Sequence, residues 1–399
     1  MIQKSLAEKF DAFTIPNELK SAGLYPYFRP IEENNDTEVV INGKKLLMFG
    51  SNSYMGLTNH PKVKEAAALA LEKYGSCCSG SRFLNGTSKL HVELEEQLAD
   101  YTGKEDALVF TTGFQANLGT VSAFTGRNGI IIMDEFNHAS IYEGSRLSFS
   151  KVLKYKHNDM EDLERLLKNI PTDTIKMIVM DGIFSMEGDI CDLPEIVKLA
   201  NKYEALLMCD DAHAVGVIGD CGRGTSSHFG LTNEVDIIMG TFSKSLASVG
   251  GYIASTKEVI NFLKHTSRPM IFSASIPPSA VAAAQAALSI IRSEPERQTA
   301  LWNNTNYMSK SLMELGFDIN TSETPIIPIY IRDNQLTFQF CQRLFDEGIF
   351  VNPVVSPAVK SDSSLLRLSM MATHTQSQLN EALDKIEKVA NELGVFAMK

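Results

Sequence analysis

The chain is predicted to be an α/β protein, a mostly parallel sheet covered by helices on both faces and followed by a smaller α+β C-terminal domain. Two observations carry that prediction. From about residue 61 to 270, helical patterns at 61–74, 89–102, 159–168 and 194–203 alternate with short β-rich runs at Ala107–Phe110, Ile130–Met133, Ile175–Met180, Ala205–Cys209, Val235–Met239 and Tyr252–Ala254. Such alternation builds parallel sheets, because the return to a parallel neighbour is long enough to hold a helix. After residue 277 the pattern changes to Ala-rich and leucine-periodic helices at 278–292, 297–315, 335–347 and 375–393, set around strands at 325–331, 349–354 and 365–369.

Ahead of both lies an arm. It reads as an amphipathic helix over Ser5–Ala22, an extended Tyr25-Pro26-Tyr27-Phe28-Arg29-Pro30 segment and a hairpin turning at Asn42-Gly43. The expected division is therefore an arm at 1–50, a large domain at 51–276 and a small domain at 277–399, with the active site between the two domains. Apolar Leu6, Phe10, Phe13 and Ile15 in the arm suit packing in a dimer better than a lipid anchor, and weak peripheral membrane contact is the alternative.

Bulk composition narrows the function. A chain of 399 residues, 44% hydrophobic and 21% charged, can bury a large core. Its 37 basic and 48 acidic residues give a formal charge of −11, so no nucleic-acid partner is expected and anionic ligands must be held locally. The six cysteines are scattered without a CxxC pair, which suggests neither a disulfide framework nor a metal site. No apolar run approaches the ~20 residues of a membrane span, and a cytoplasmic location is expected.

The candidate chemistry sits where predicted strands end. Asp210 follows the run Ala205–Cys209 and so falls at the carboxyl edge of the sheet, where open α/β folds bind ligands. A carboxylate there suits a metal, a ribose, or the nitrogen of a heteroaromatic ring; for an isolated Asp, a helix cap is the plainer reading. Lys244, in Gly240-Thr241-Phe242-Ser243-Lys244-Ser245-Leu246, directly follows a buried strand, although lysines favour solvated helix faces. A desolvated lysine has a lowered pKa and attacks carbonyls, as a Schiff-base cofactor requires. Thr241 offers a hydroxyl to a phosphate. The turn Thr111-Thr112-Gly113-Phe114 opens a helix whose first amides, those of Gly113 and Phe114, suit an anion; simple capping explains it equally well, and neither a Walker loop nor GxGxxG is present.

Four further residues follow the same logic. His138, after Ile130–Met133, is placed to stack on a planar ring. Ser185, in Asp181-Gly182-Ile183-Phe184-Ser185, and His213 are placed to bond a phenolic oxygen. Arg367, in the short strand Leu365-Leu366-Arg367-Leu368-Ser369, suits a bidentate grip on a substrate carboxylate, or else a surface ion pair.

Taken together and in this order, these segments resemble the α-oxoamine synthase family of fold-type I, aspartate aminotransferase-like, pyridoxal-phosphate (PLP) transferases. The resemblance runs through Ser51-Asn52-Ser53-Tyr54-Met55-Gly56-Leu57, Gly80-Ser81-Arg82 to Gly86 and His91, Gly113-Phe114, Asn137-His138-Ala139-Ser140, Asp210-Asp211-Ala212-His213, Thr241 to Lys244, and Arg367 with His374-Thr375. It implies pyridoxal 5'-phosphate as cofactor. Lys244 would hold it as a Schiff base, Asp210 would keep its ring nitrogen protonated and His138 would lie over the ring. Ser53 and Arg367 would bind substrate, while Ser273 and Ala274 would reach the cofactor phosphate of a partner subunit, making a homodimer with shared active sites.

Within the family, three segments are most similar to the branch that condenses L-serine with a long-chain acyl-CoA, palmitoyl-CoA. These are Tyr25–Pro30, Gly240–Ser248 and Val351-Asn352-Pro353-Val354-Val355-Ser356-Pro357-Ala358-Val359. The branches that use glycine with acetyl-CoA, or that make 8-amino-7-oxononanoate, are the alternatives. No spacing distinguishes a serine side chain from a glycine hydrogen, so the amino acid rests on the resemblance.

Overall fold

In the computed structural model, which describes residues 3–320, 322–360 and 362–398, the arm begins with two short helices, Lys4–Asp11 and Ile15–Ser21, where one was expected over Ser5–Ala22. Pro16 explains the break. It has no N–H to donate into a preceding turn and sits in the first turn of the second helix, where none is needed. Strands β1 (Glu33–Asn35), β2 (Glu38–Ile41) and β3 (Lys44–Met48) follow. The predicted hairpin turn is present between β2 and β3, with Asn42 at φ 52° and Gly43 at φ 69°, the paired left-handed conformation that matches strand twist. Arg29 ties the extended segment to the C-terminal part: it donates to Gln342 over 2.6 Å, and its guanidinium lies 3.7 Å from the centre of the Phe345 ring.

The predicted sheet is the centre of the molecule. Its strands are β4 (Asp106–Phe110), β5 (Ile130–Asp134), β6 (Lys151–Tyr155), β7 (Lys176–Asp181), β8 (Leu206–Asp210), β9 (Ile237–Thr241) and β10 (Gly251–Ser255), in the order β4-β10-β9-β8-β7-β5-β6. Only β10 runs against its neighbours. Strands β7, β9 and β10 are buried throughout, as continuous apolar runs covered on both faces must be. Strand β6 was not predicted, because it lies at the sheet edge and Lys151 and Lys154 interrupt its apolar pattern. Three adjacent parallel strands, β5, β7 and β8, each end in aspartate: Asp134, Asp181 and Asp210.

The C-terminal part contains β11 (Ile326–Tyr330), β12 (Ile349–Phe350), β13 (Asn352–Val354) and β14 (Leu365–Ser369). The single strand expected over 349–354 is divided between two sheets. Strand β12 extends the arm's sheet by pairing parallel to β3, whereas β13 forms one edge of a three-stranded antiparallel sheet, β11-β14-β13. Pro353, lacking an N–H, is tolerated on such an edge. Helices Pro278–Ser293, Glu296–Glu314, Asn334–Asp346 and Gln376–Leu393 fall close to their predicted spans. One apolar cluster runs from Leu98 and Tyr252 through Ile290 and Leu312 to Ile327 and Leu368, so the strand bearing Arg367 is packed against the body that bears Lys244.

Candidate active site

The carboxyl ends of β7, β8 and β9 open into a cavity of about 270 Å³ lined by Lys244, Asp210, Asp181, His138, Thr241 and Gly113, among others. After β9 the chain loops through residues 242–250 back into β10, and Thr241 closes the loop by donating its hydroxyl to the Gly250 carbonyl over 3.1 Å. Lys244 projects from this loop. Burial brings its ammonium down to about 8, with the nearby Arg367 charge acting the same way and Asp210 partly opposing both. The amine therefore gives up its proton to become nucleophilic far more readily than a solvated lysine does.

Asp210 is 3% exposed, and each of its oxygens accepts a hydrogen bond. One oxygen accepts from the Asn117 amide over 2.6 Å and the other from the Ala212 N–H over 2.9 Å. Asn117 stands on the buried side of the helix Gly113–Phe124 and also donates to Ser140 over 2.8 Å. Asp181 is the register partner of Asp210 on β7. Burial, reinforced by the charge of Asp210, holds its carboxyl well above the usual carboxylate range. The cavity thus pairs a hydrogen-bonded carboxylate with a neighbour driven towards its neutral acid.

The helix opened by Gly113 is capped by Thr112, whose side chain accepts from the Gln115 N–H over 3.1 Å. Among the described residues the amides of Gly113 and Phe114 have no protein partner, and both residues line the cavity with Thr241 and Ser243. Glycine is required for this seating. A Cβ on Gly113 would lie 2.7 Å from the Thr241 hydroxyl oxygen, and one on Gly251 would lie 2.5 Å from the Gly113 Cα.

His138 caps the helix Ala139–Leu147 and meets the Phe114 ring edge-on, with centroids 6.4 Å apart. His213 is 2.7 Å from the Tyr54 hydroxyl, and burial together with the charge of Lys244 keeps it well below the usual imidazole range. Tyr54 in turn accepts from Arg367 over 3.4 Å. Arg367 is 5% exposed and donates to the Ser185 carbonyl at 2.6 Å, to Asn52 at 2.9 Å and to the Ser369 hydroxyl at 2.7 Å. Every one of these partners is neutral, and Arg367 has no carboxylate partner among the described residues. A buried cation without a counter-charge is costly unless an anion arrives to meet it.

The remaining predicted residues lie apart from this cavity. Ser185 lines an adjoining cavity of about 500 Å³ that shares His138. The Ser53 hydroxyl is 2.9 Å from that of Thr58. Ser273 accepts from Gln115 over 3.0 Å and the Ala274 carbonyl accepts from Thr111 over 2.6 Å, both outside the Lys244 cavity of their own chain. The motif residues Arg82, His91 and His374 are structural here: Arg82 forms a bidentate pair with Glu95, His91 bonds the Ile276 carbonyl, and His374 stacks on Phe49. Sequence reasoning gave no role to Asn117, Asp181 or Tyr54. Asp181 carried the same signal as Asp210, an acid at the end of a predicted strand.

Residues 44–386 match the family described as aminotransferase class I and II. Over 398 residues the chain is 58% identical to the serine palmitoyltransferase of Sphingobacterium spiritivorum, with 100% of each chain covered. It is 53% identical to that of Bacteroides thetaiotaomicron, covering 98% of this chain and 99% of the relative. Among solved structures, serine palmitoyltransferase from S. paucimobilis with a bound PLP–myriocin aldimine is similar at a TM-score of 0.96 and 35% identity, over 98% of this chain and 100% of the other. The chain belongs to the aminotransferase class I and II family.

Within that family the resemblance to α-oxoamine synthases holds, and with it the fold-type I architecture and PLP as cofactor. The cavity is chemically suited to that group. Partnerless amides and two hydroxyls at one end suit a phosphate, a hydrogen-bonded carboxylate suits a protonated ring nitrogen, and an amine of lowered basicity suits an aldehyde.

Proposed function

We propose that this α-oxoamine synthase is a serine palmitoyltransferase, which condenses L-serine with palmitoyl-CoA, with loss of CO2 and CoA, to give 3-oxosphinganine. One observation carries the reading: Lys244 and Asp210 share a cavity, with a buried guanidinium lacking any counter-charge close by. Bound there, PLP supplies an electron sink for the bonds broken at the amino acid's Cα.

The chain's own residues supply the rest. Gly113, Phe114 and Thr241 hold the phosphate, and Asp210 pairs with the ring nitrogen, its charge oriented by Asn117. His213, which lines the cavity, would face the phenolic oxygen, whereas Ser185, in the adjoining cavity, would act through Arg367. Lys244 would hold the aldehyde carbon and would be the base for the Cα proton. His138, on the cavity wall, would pack against the cofactor and orient the amino acid's Cα–H bond. Arg367, held by Asn52 and Ser369, would grip the serine carboxylate.

A homodimer with shared sites completes this reading. Ser273 and Ala274 stand beside Phe272, which is 75% exposed, while Leu84, 80% exposed, lies in the segment that Ala274 bridges through Ser81. Such exposed apolar side chains suit burial against a second copy, where Ser273 and Ala274 would complete the other site. The arm at 1–50, the large domain at 51–276 and the small domain at 277–399 are the units we assign, and the cytoplasm is the proposed location. No helix among the described residues is long and apolar enough to cross a membrane.

The test is purified holoenzyme with serine, glycine or alanine against acetyl-CoA and palmitoyl-CoA, reading thiol release and product mass. Serine with palmitoyl-CoA is expected to dominate; preference for glycine with acetyl-CoA would move the chain to another branch. Lys244→Ala should lose both turnover and the visible absorbance of bound cofactor, and retained absorbance would identify a different lysine.

A further inference from the structure

Outside the cavity, His157 occupies an unusual position between two strand exits. Its Nδ1 lies 3.1 Å from Asp134, the last residue of β5, and its Nε2 lies 2.7 Å from Asp189. A neutral imidazole carries one N–H, and its other nitrogen would direct a lone pair at a carboxylate. Two carboxylate contacts of this length therefore need the doubly protonated ring. Burial works against that charge, but the two acids outweigh it and hold the ring up at about 10. Phe136 stacks on the ring at 4.5 Å, a favourable contact for a cation, and Phe184 packs against it at right angles with centroids 4.4 Å apart.

The two acids belong to loops that lead into the active site. Asp134 opens the turn that ends at His138, and its carboxylate also accepts from the Phe136 and Asn158 amides at 2.8 and 3.0 Å. Asp189 closes the turn that begins at Phe184, its carbonyl accepting from the Phe184 N–H over 3.0 Å. Ser185, the second residue of that turn, presents its carbonyl to the Nε of Arg367 at 2.6 Å. Arg367 has five N–H groups. Ser185 takes the one on Nε, and Asn52 and Ser369 take those on Nη1, so only Nη2, held loosely by Tyr54 at 3.4 Å, is left for a ligand. The direction of that free edge is set by the Ser185 carbonyl.

We infer that His157 is a positioning residue: as an imidazolium bridging Asp134 and Asp189, it fixes the turn whose Ser185 carbonyl aims Arg367 at the substrate carboxylate. Removing it leaves the β5 loop anchored by the Phe136 and Asn158 backbone amides. On the other side Asp189 keeps only a neutral donor, the Asn158 side-chain amide at 3.1 Å, and loses its charged partner, so the loss falls on that turn and thus on Arg367. The inference rests on the reading that Arg367 grips the amino acid's carboxylate.

The test compares ligands with and without that carboxylate. L-serine and 2-aminoethanol are titrated into holoenzyme, wild type, His157→Phe and Asp189→Asn, following the cofactor absorbance; Arg367→Lys is the reference. His157→Phe keeps the aromatic packing and removes both bonds, while Asp189→Asn keeps the shape and removes one charge. Loss of a charge-assisted bond predicts about tenfold weaker serine binding in both variants, with 2-aminoethanol and cofactor retention unchanged, the same pattern as Arg367→Lys. Unchanged serine binding would overturn the inference, and so would equal weakening of both ligands, which marks general damage. If His157→Phe does not fold, Asp189→Asn decides. If the wild type proves to prefer glycine, the pair becomes glycine and methylamine, so an error in the substrate assignment leaves this test in force.

Discussion

Asn117 donates its side-chain amide to Asp210 over 2.6 Å from the helix whose first residues line the end of the cavity proposed for the phosphate. The two ends of the proposed cofactor site are thus built on one element, and a shift of that helix would disturb both. Asp210→Asn removes the charge proposed to face the ring nitrogen while keeping the shape. Its expected outcome is retained cofactor with turnover lowered on the order of 10²-fold or more, read by absorbance and thiol release on one sample. Asn117→Ala leaves the charge but frees it to move, and about a tenfold loss is expected. Near-normal turnover in Asp210→Asn would remove the electron-sink role.

Lys244 gives a pH prediction. An ordinary lysine titrates near ~10.4, whereas burial brings Lys244 down to about 8. Only the neutral amine attacks an aldehyde, so the rate at which cofactor-free protein takes up PLP should rise as pH increases through about 8 and then level off. In Asp210→Asn the larger of the two influences that raise this value is gone, leaving that of Asp181, and the rise should come at lower pH. A wild-type midpoint close to that of free lysine would show that the amine is solvated before the cofactor binds.

Much of this site is legible in sequence because its residues sit at the ends of apolar runs. Asp210, Lys244, His138 and Thr241 each follow a strand that composition alone marks as buried, and the parallel order places those ends along one edge. What was not legible depends on contacts made across the sheet. Asn117 lies 93 positions from Asp210, and nothing local marks it as that carboxylate's donor. Ser185 shows a different limit. Its hydroxyl drew attention in the sequence, yet the structure uses its carbonyl, a group every residue possesses. Likewise Pro16 was visible within the arm's helix, but the periodic apolar residues on either side concealed the break it causes.

Gly113→Ala tests the phosphate end. The added methyl would lie 2.7 Å from the Thr241 hydroxyl oxygen and 2.9 Å from its Cβ, with the Met239 side chain at 3.0 Å. Thr241 is the last residue of a buried strand and has little room to retreat, so the helix start must lift. The expected cost is about 1–3 kcal/mol of stability, together with weaker PLP binding, since the Gly113 and Phe114 amides move with the helix. Thermal unfolding and a PLP titration check the two effects. Unchanged PLP affinity would mean that these amides do not hold the phosphate.

His157 predicts how stability depends on pH. In the folded protein its ring is held up at about 10 by Asp134 and Asp189, whereas in the unfolded chain it titrates near ~6.5. Because the folded value is the higher one, the stabilisation from its charge is fully present below the unfolded value and is lost as pH rises through the folded value. The difference in Tm between wild type and His157→Phe should therefore be greatest at mildly acidic pH, shrink steadily above pH ~6.5 and vanish above about 10. Asp189→Asn should shrink the same difference, since it removes one of the two charges that raise the ring. A Tm difference that stays flat across this range would show that the charge of His157 does not hold the two loops together.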